Sequence, residues 1–232
     1  LYLFLYNINL FLFKLGFKKQ YSFKTFVISI GNLTVGGAGK TPMTIYLSKL
    51  LFSQKIKHTI VSRGYKKNKV GTFIVPEPGS GRSSADDCGD EPYLLNKELK
   101  KTPVIVGQKN KAIDLSIKTF SAPVVLLDDG FQSYSIHKNL NILLVDLSRP
   151  KKDYSLLPAG LLREPLYQSS NADIVIFTKC NHKSADAKII RSNIIKNSGL
   201  DISCFFDSDF VSCLKRFSFN KREFVKYKKI IS

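Results

Sequence analysis

The 232 residues suffice for one large α/β domain, and 44% hydrophobic residues can bury a core, which excludes a disordered linker role. The 36 Lys and Arg against 18 Asp and Glu give a formal net charge of +18, which favours an anionic partner such as phosphate, nucleic acid or an anionic membrane. Cys88, Cys180, Cys204 and Cys213 form no C-x-x-C pair, and His58, His137 and His182 are scattered, so neither a zinc site nor a disulfide framework is indicated.

Leu1 to Phe17 is apolar at thirteen of seventeen positions and is followed at once by Lys18 and Lys19. As a helix it would reach about 26 Å, slightly short of the roughly 30 Å hydrocarbon core. No basic segment precedes it and no small-residue cleavage site follows, which argues against a signal peptide. Asn7 and Lys14 fall on one side of the helical wheel, Asn9 and Gly16 on the other, so the stripe is not cleanly amphipathic. The favoured reading is a membrane-associating helix over residues 1–20, with Lys18, Lys19 and Lys24 meeting anionic headgroups. A buried core helix and the tail of a transmembrane span are the alternatives.

Phe26 to Ile30 is a short β-rich run that reads as a buried strand. The helix after it is expected to start at Thr41-Pro42, with an apolar face of Ile45, Leu47, Leu50 and Leu51. Further strands are predicted at His58 to Ser62, Thr72 to Val75, Val104 to Val106, Val124 to Leu127, Ile142 to Val145 and Ile174 to Phe177. Helices are expected around Glu91 to Lys100, Lys109 to Thr119 and Ala185 to Asn197. Pro76 to Asp90 and Ser148 to Pro165 read as long irregular loops. Uniformly apolar strands alternating with helices predict an α/β fold of the P-loop NTPase kind, a mainly parallel sheet covered on both faces. The core lobe is expected over residues 21–210, with a further, incomplete lobe beginning at 211–232.

Between the first strand and helix lies Thr34-Val35-Gly36-Gly37-Ala38-Gly39-Lys40-Thr41, which ends as a Walker A motif does but has Thr34 where the usual pattern starts with glycine. The glycines let backbone N–H groups surround phosphate oxygens, Lys40 can reach the β- and γ-phosphates, and the Thr41 hydroxyl can ligate Mg²⁺. An apolar strand ending in Asp128 and Asp129 supplies the matching metal-side carboxylates, and Asp146, which also ends an apolar strand, competes for that role. Asp90, in Gly89-Asp90-Glu91-Pro92, is either a catalytic base or a helix cap. Arg63 and Arg163 are candidates to stabilise phosphate charge or to brace loops, and Gln132 to orient a hydroxyl or bond the backbone.

Taken in order, Ser29 to Pro42, Ser62-Arg63-Gly64-Tyr65, Gly89-Asp90-Glu91-Pro92, Asp128-Asp129-Gly130-Phe131-Gln132, Leu157-Pro158-Ala159-Gly160 and Leu162-Arg163-Glu164-Pro165 resemble the tetraacyldisaccharide 4'-kinase family. That resemblance implies ATP- and Mg²⁺-dependent transfer of the γ-phosphoryl to the 4'-hydroxyl of an acylated glucosamine disaccharide 1-phosphate. It implies a peripheral enzyme on the cytoplasmic face of a Gram-negative inner membrane, with ATP, the lipid and an anionic membrane surface as partners and no nucleic acid. In family terms Asp90 matches the base, Thr34 to Thr41 the ATP loop, Asp128 with Asp129 the metal-side carboxylates, and Arg163 with Glu164 a motif near the substrate. Lys40 and Arg163 are expected to join Asp90 in catalysis, and Thr41 to join the two aspartates at the metal. Two departures stand out: the family's Pro-Asp-His-His motif does not occur, and Ser133 stands where a histidine often follows Asp-Asp-Gly-Phe-Gln. The expectation is therefore a C-terminally shortened member. A partitioning-type P-loop ATPase, or a non-catalytic nucleotide-binding fragment, is the alternative; the former usually carries a lysine where this chain has Val35.

Overall fold

In the computed structural model residues 6, 8, 10–13, 15–65, 67–77, 84–180 and 183–207 are described. The expected start of a further lobe at 211–232 lies outside them, as do Leu1 to Leu5, His182 and Cys213. One eight-stranded sheet carries the fold, in the order β3-β4-β2-β5-β1-β6-β7-β8. In chain order the strands are β1 (Phe26–Asn32), β2 (His58–Ser62), β3 (Phe73–Ile74), β4 (Val104–Val106), β5 (Val124–Asp128), β6 (Leu140–Asp146), β7 (Ile174–Thr178) and β8 (Phe205–Asp207). Every pairing is parallel except that of β3 with β4.

The sheet has helices on both faces, and the strand residues alternate between them as the two-residue period requires. Ile28 and Ile30 of β1, with Leu126 and Leu144, pack against Met43, Leu47 and Leu51 of α1 (Lys40–Ser53) and Leu95 of α3 (Asp90–Glu98). On the opposite face Val27, Val125 and Leu127 meet Ala112 and Ile113 of α4 (Lys109–Phe120). Leu143, Val175 and Phe177 meet Ile190 and Ile194 of α5 (Ala185–Ser198) on that side. Burial on both faces explains why β5 is apolar up to its final aspartate.

The expected face of α1 is rotated in the structure. Met43, Thr44, Leu47, Ser48 and Leu51 are the buried positions, while Ile45 and Leu50 only flank the core. Thr44 and Ser48 are polar yet buried because each has a distant partner: Thr44 Oγ1 donates to Asp128 Oδ1 at 3.2 Å, and Ser48 Oγ bonds His58 Nε2 at 2.7 Å. The expected loop at Pro76 to Asp90 also contains a short helix, α2 (Ala85–Cys88), closed by a reciprocal capping box between Ser84 and Asp87.

Among the described residues, the helical Tyr6, Ile8 and residues 10–13 give way to turns from Leu15 onward. Among the described residues no helix is long and apolar enough to cross a membrane.

Gly89 joins α2 to α3 with φ +93, and a Cβ there would lie 2.8 Å from the Tyr65 carbonyl oxygen. Gly89→Ala should therefore lower the unfolding free energy by about 1–3 kcal/mol, measurable as a shifted urea midpoint with an unchanged slope.

Candidate active site

The parallel order brings the carboxyl ends of β1, β5 and β6 together at the centre of the sheet, where the chain also reverses its direction of strand addition. β1 runs into the glycine-rich loop, which leads into α1. Gly39, with φ +88, is the N-cap of α1 and provides no side-chain hydrogen bond, and the first turn carries no acidic residue. A helix start of this kind presents N–H groups and the positive end of the helix dipole to an anion. Val35, Gly36, Gly37, Gly39, Lys40 and Thr41 line a cleft of about 1120 Å³ together with Arg63, Tyr65, Asp90, Asp129, Arg163 and Lys179. Thr34 and Ala38 instead lie buried beneath the loop.

The long segment after β6 is fastened onto the base of this loop. Val35 N–H donates to the Leu161 carbonyl at 2.7 Å, and Arg163 N–H donates to the Leu33 carbonyl at 2.8 Å. Thr34 and Leu162 form the antiparallel bridge between those bonds. Arg163 consequently reaches the end of β5, where its Nη1 and Nη2 donate to the two carboxylate oxygens of Asp129 at 3.2 and 3.1 Å. Lys40 Nζ stands 3.7 Å from the same carboxylate. Burial pushes the Asp129 carboxyl up, but Arg163, Lys40 and Lys109 outweigh it and hold it below the usual carboxylate range.

Asp128 has a different setting. It is 1% exposed, and Thr44 and Ser62 hydroxyls donate to it at 3.2 and 3.4 Å. Burial, with the negative charges of Glu91 and Asp129 nearby, pushes it up to about 6. The competing carboxylate, Asp146, is already engaged: Lys179 Nζ lies 2.7 Å from its Oδ2, and Ser148 N–H and Oγ both donate to its Oδ1. Burial raises it, yet these bonds leave it below the ordinary range. Lys179 also donates to the Gly37 carbonyl at 2.9 Å, and Thr178 Oγ1 to the Ala38 carbonyl at 3.1 Å, so Asp146 and β7 brace the loop from the far side.

Of the residues expected from the sequence, Lys40, Thr41, Asp90, Asp129 and Arg163 line one cleft, and Asp128 sits behind it. Asp90 is exposed at the start of α3, where Gly89 gives α3 no side-chain cap. Arg63 is on the cleft wall, and Gln132 serves the backbone, its Nε2 donating to the Asn32 carbonyl at 2.8 Å.

Four further residues enter the site: Asn32 and Ser62 fall within the quoted stretches but had no role assigned there, and Thr44 and Lys109 fall in none of them. Asn32 ends β1 fully buried and bonds to both Lys40 and Arg163. Thr44 and Ser62 hold Asp128. Lys109, the first residue of α4, donates to the Asp129 carbonyl and to Ser133 Oγ. Ser133, the departure noted above, thus partners a lysine. Next to Arg163, Glu164 is 1% exposed and accepts from the Tyr134 hydroxyl at 2.6 Å, and Tyr134 in turn bonds Tyr6 at 2.9 Å. For Asn32, Ser62 and Lys109 the signal was a polar residue at the end of a strand or helix, which is too common to single out.

Burial lowers Lys109 to about 8, assisted by Arg63 and Arg163 and opposed by Asp129 and Asp128. The folded protein releases this proton before the unfolded chain does, so the contribution of Lys109 to stability rises between about pH 8 and about pH 10.5. Urea unfolding of the wild type and of Lys109→Met across that range should show the wild type gaining on the variant as pH increases.

A family model described as tetraacyldisaccharide-1-P 4'-kinase matches residues 1–206. The tetraacyldisaccharide 4'-kinase of Aquifex aeolicus is 44% identical over 170 residues, which is 72% of this chain and 52% of that protein. Its counterpart in Bacteroides thetaiotaomicron is 44% identical over 187 residues, 79% of this chain and 47% of that protein. The chain thus spans about half the length of the curated relatives it matches. Among solved structures, LpxK from Aquifex aeolicus in complex with ATP superposes with a TM-score of 0.69 at 32% identity, covering 89% of this chain and 78% of that one. With the glycine-rich loop, Asp129 and the fastened Arg163 segment in one cleft and Asp128 directly behind it, the chain belongs to the tetraacyldisaccharide-1-P 4'-kinase family.

Proposed function

We propose that this chain carries the nucleotide-binding and phosphoryl-transfer lobe of a kinase that moves the γ-phosphoryl of ATP to the 4'-hydroxyl of a tetraacyl glucosamine disaccharide 1-phosphate. The observation that carries the reading is the single cleft in which the uncapped start of α1, Lys40, Arg163 with Asp129, and Asp90 meet. In this reading the N–H groups of Gly36 to Thr41 and the Lys40 ammonium hold the phosphates. Arg163, steadied by Asp129, faces the charge that builds on the transferring group. Asp90 accepts the proton of the 4'-hydroxyl as that oxygen attacks the γ-phosphorus, and ADP leaves along the loop.

Magnesium demands few protein ligands, one or two carboxylates together with phosphate oxygens and water. The hard oxygen donors of Thr41, Asp128 and Asp129 fit that requirement: Asp128 is a buried carboxylate that accepts long hydroxyl contacts from Thr44 and Ser62, and Asp129 opens onto the cleft. When bound, the ion would neutralise charge on the β- and γ-phosphates.

The exposed Phe11, Leu15 and Phe17, at 59%, 53% and 76%, support a membrane-associating role for the start of the chain, at the cytoplasmic face of a Gram-negative inner membrane. Removal of residues 1–17 should abolish sedimentation with vesicles containing anionic lipid, and unchanged sedimentation would refute that role.

Radiolabelled ATP with tetraacyldisaccharide 1-phosphate tests the activity, using the chain extended through the full length of its relatives. Labelled lipid is expected from the wild type. Lys40→Ala should lose both lipid labelling and at least about tenfold in ATP affinity. Asp90→Ala should bind ATP normally yet lose at least about a hundredfold in turnover. A wild type that labels no lipid would overturn the proposal.

A further inference from the structure

Asn32, the last residue of β1, is fully buried and uses both ends of its amide. Its Oδ1 accepts from Arg163 Nη2 at 2.7 Å and from Lys40 Nζ at 3.2 Å. Its Nδ2 donates to the Thr34 carbonyl at 2.8 Å and to Thr34 Oγ1 at 3.1 Å. Its main-chain carbonyl accepts from Arg163 Nη2 at 3.0 Å and Gln132 Nε2 at 2.8 Å. The partners define which end is which, since lysine and arginine only donate and a carbonyl only accepts. A carboxylate here would turn an oxygen toward the Thr34 carbonyl, and an apolar residue would take the shared acceptor from both cations, leaving Asp129 as the group that joins them.

The charges explain why an amide suits this point. Lys40, Arg163 and Asp129 form one cluster with a net charge of +1, and Asn32 joins it without changing that sum. An aspartate would bring the cluster to zero. Two cations held by a neutral acceptor stay close together at the loop, and passing them to a phosphate breaks no ion pair with Asn32.

Building on the phosphate-binding reading above, we infer that Asn32 is a positioning residue: a neutral clamp that holds Lys40 and Arg163 side by side at the terminal phosphates while leaving their charge available. In the phosphate-binding reading Lys40 holds the phosphates and Arg163 faces the transferring group, so the effect of Asn32 falls on the outermost phosphate.

The test uses the purified chain with Asn32→Ala and Asn32→Asp, two nucleotides, and a measurement made without nucleotide. Calorimetric titration should show Asn32→Ala weakening ATP by about tenfold and ADP by no more than about threefold, so that discrimination between them narrows. Asn32→Asp should weaken ATP further than Asn32→Ala. Without nucleotide, acylation of Lys40 by an N-hydroxysuccinimide ester, followed by mass spectrometry, should be several-fold faster in Asn32→Ala than in the wild type. Unchanged ATP affinity in Asn32→Ala, or equal losses for ATP and ADP alongside a lower melting temperature, would overturn the clamp. If the wild type binds neither nucleotide, the phosphate reading fails, and the acylation rate decides the clamp: faster labelling upholds it and unchanged labelling sinks it. Should Asn32→Ala not fold, Asn32→Ser carries the same comparisons.

Discussion

The parallel pairing of β1 with β5 is the constraint on which the rest of the site depends. The register sets Ile30 beside Asp128, so the turn that leaves β1 as the glycine-rich loop lies against the turn that leaves β5 as Asp129 and Gly130. Two stretches almost a hundred residues apart thereby share one end of the sheet. Their chemistry, cationic on the loop side and anionic on the other, meets because apolar side chains on both faces of the strands hold that register. A slip of one residue would invert β1, turning Ile28 and Ile30 away from α1.

Upon this frame the electrostatics are graded by depth. Asp129, at the cleft edge, is saturated with cations and stays ionised, whereas Asp128, one residue earlier and sealed by hydroxyls, is pushed toward neutrality. The same backbone reversal separates them: Asp129 adopts φ +46, which sends it out of the strand's alternation and toward Arg163. A third carboxylate, Asp146, has no share in the cleft, because Lys179 and Arg149 have claimed it for bracing the loop.

Much of the fold was legible because strands buried on both faces read as apolar runs; six of the eight were visible as such and the half-buried edge strand β3 by its β-rich residues, with ends set within about two residues. β8 was not, since its three residues gain their place only by pairing with β7. The face of α1 was misread for a related reason: Thr44 and Ser48 look like solvent residues until Asp128 and His58 arrive from elsewhere in the chain. In the site, Gly-Lys-Thr and Asp-Asp-Gly were readable because their chemistry is local to a few residues. Asn32 and Lys109 were not, since each acts through partners brought by folding. The docking of Arg163 was equally hidden, for it rests on backbone bonds between two irregular segments that no periodicity marks.

The line of hydrogen bonds from Tyr6 through Tyr134 to Glu164 has a polarity that its geometry enforces. A phenol owns one proton, and Tyr134 spends it on the buried carboxylate, so the contact with Tyr6 must run from Tyr6 into Tyr134. The N-terminal helical residues therefore speak to the neighbour of Arg163 as a donor only. Should Tyr6 withdraw, Tyr134 loses an incoming bond while Glu164 keeps its own, which makes this junction separable: the start of the chain can change its surroundings without undoing the carboxylate behind the cleft.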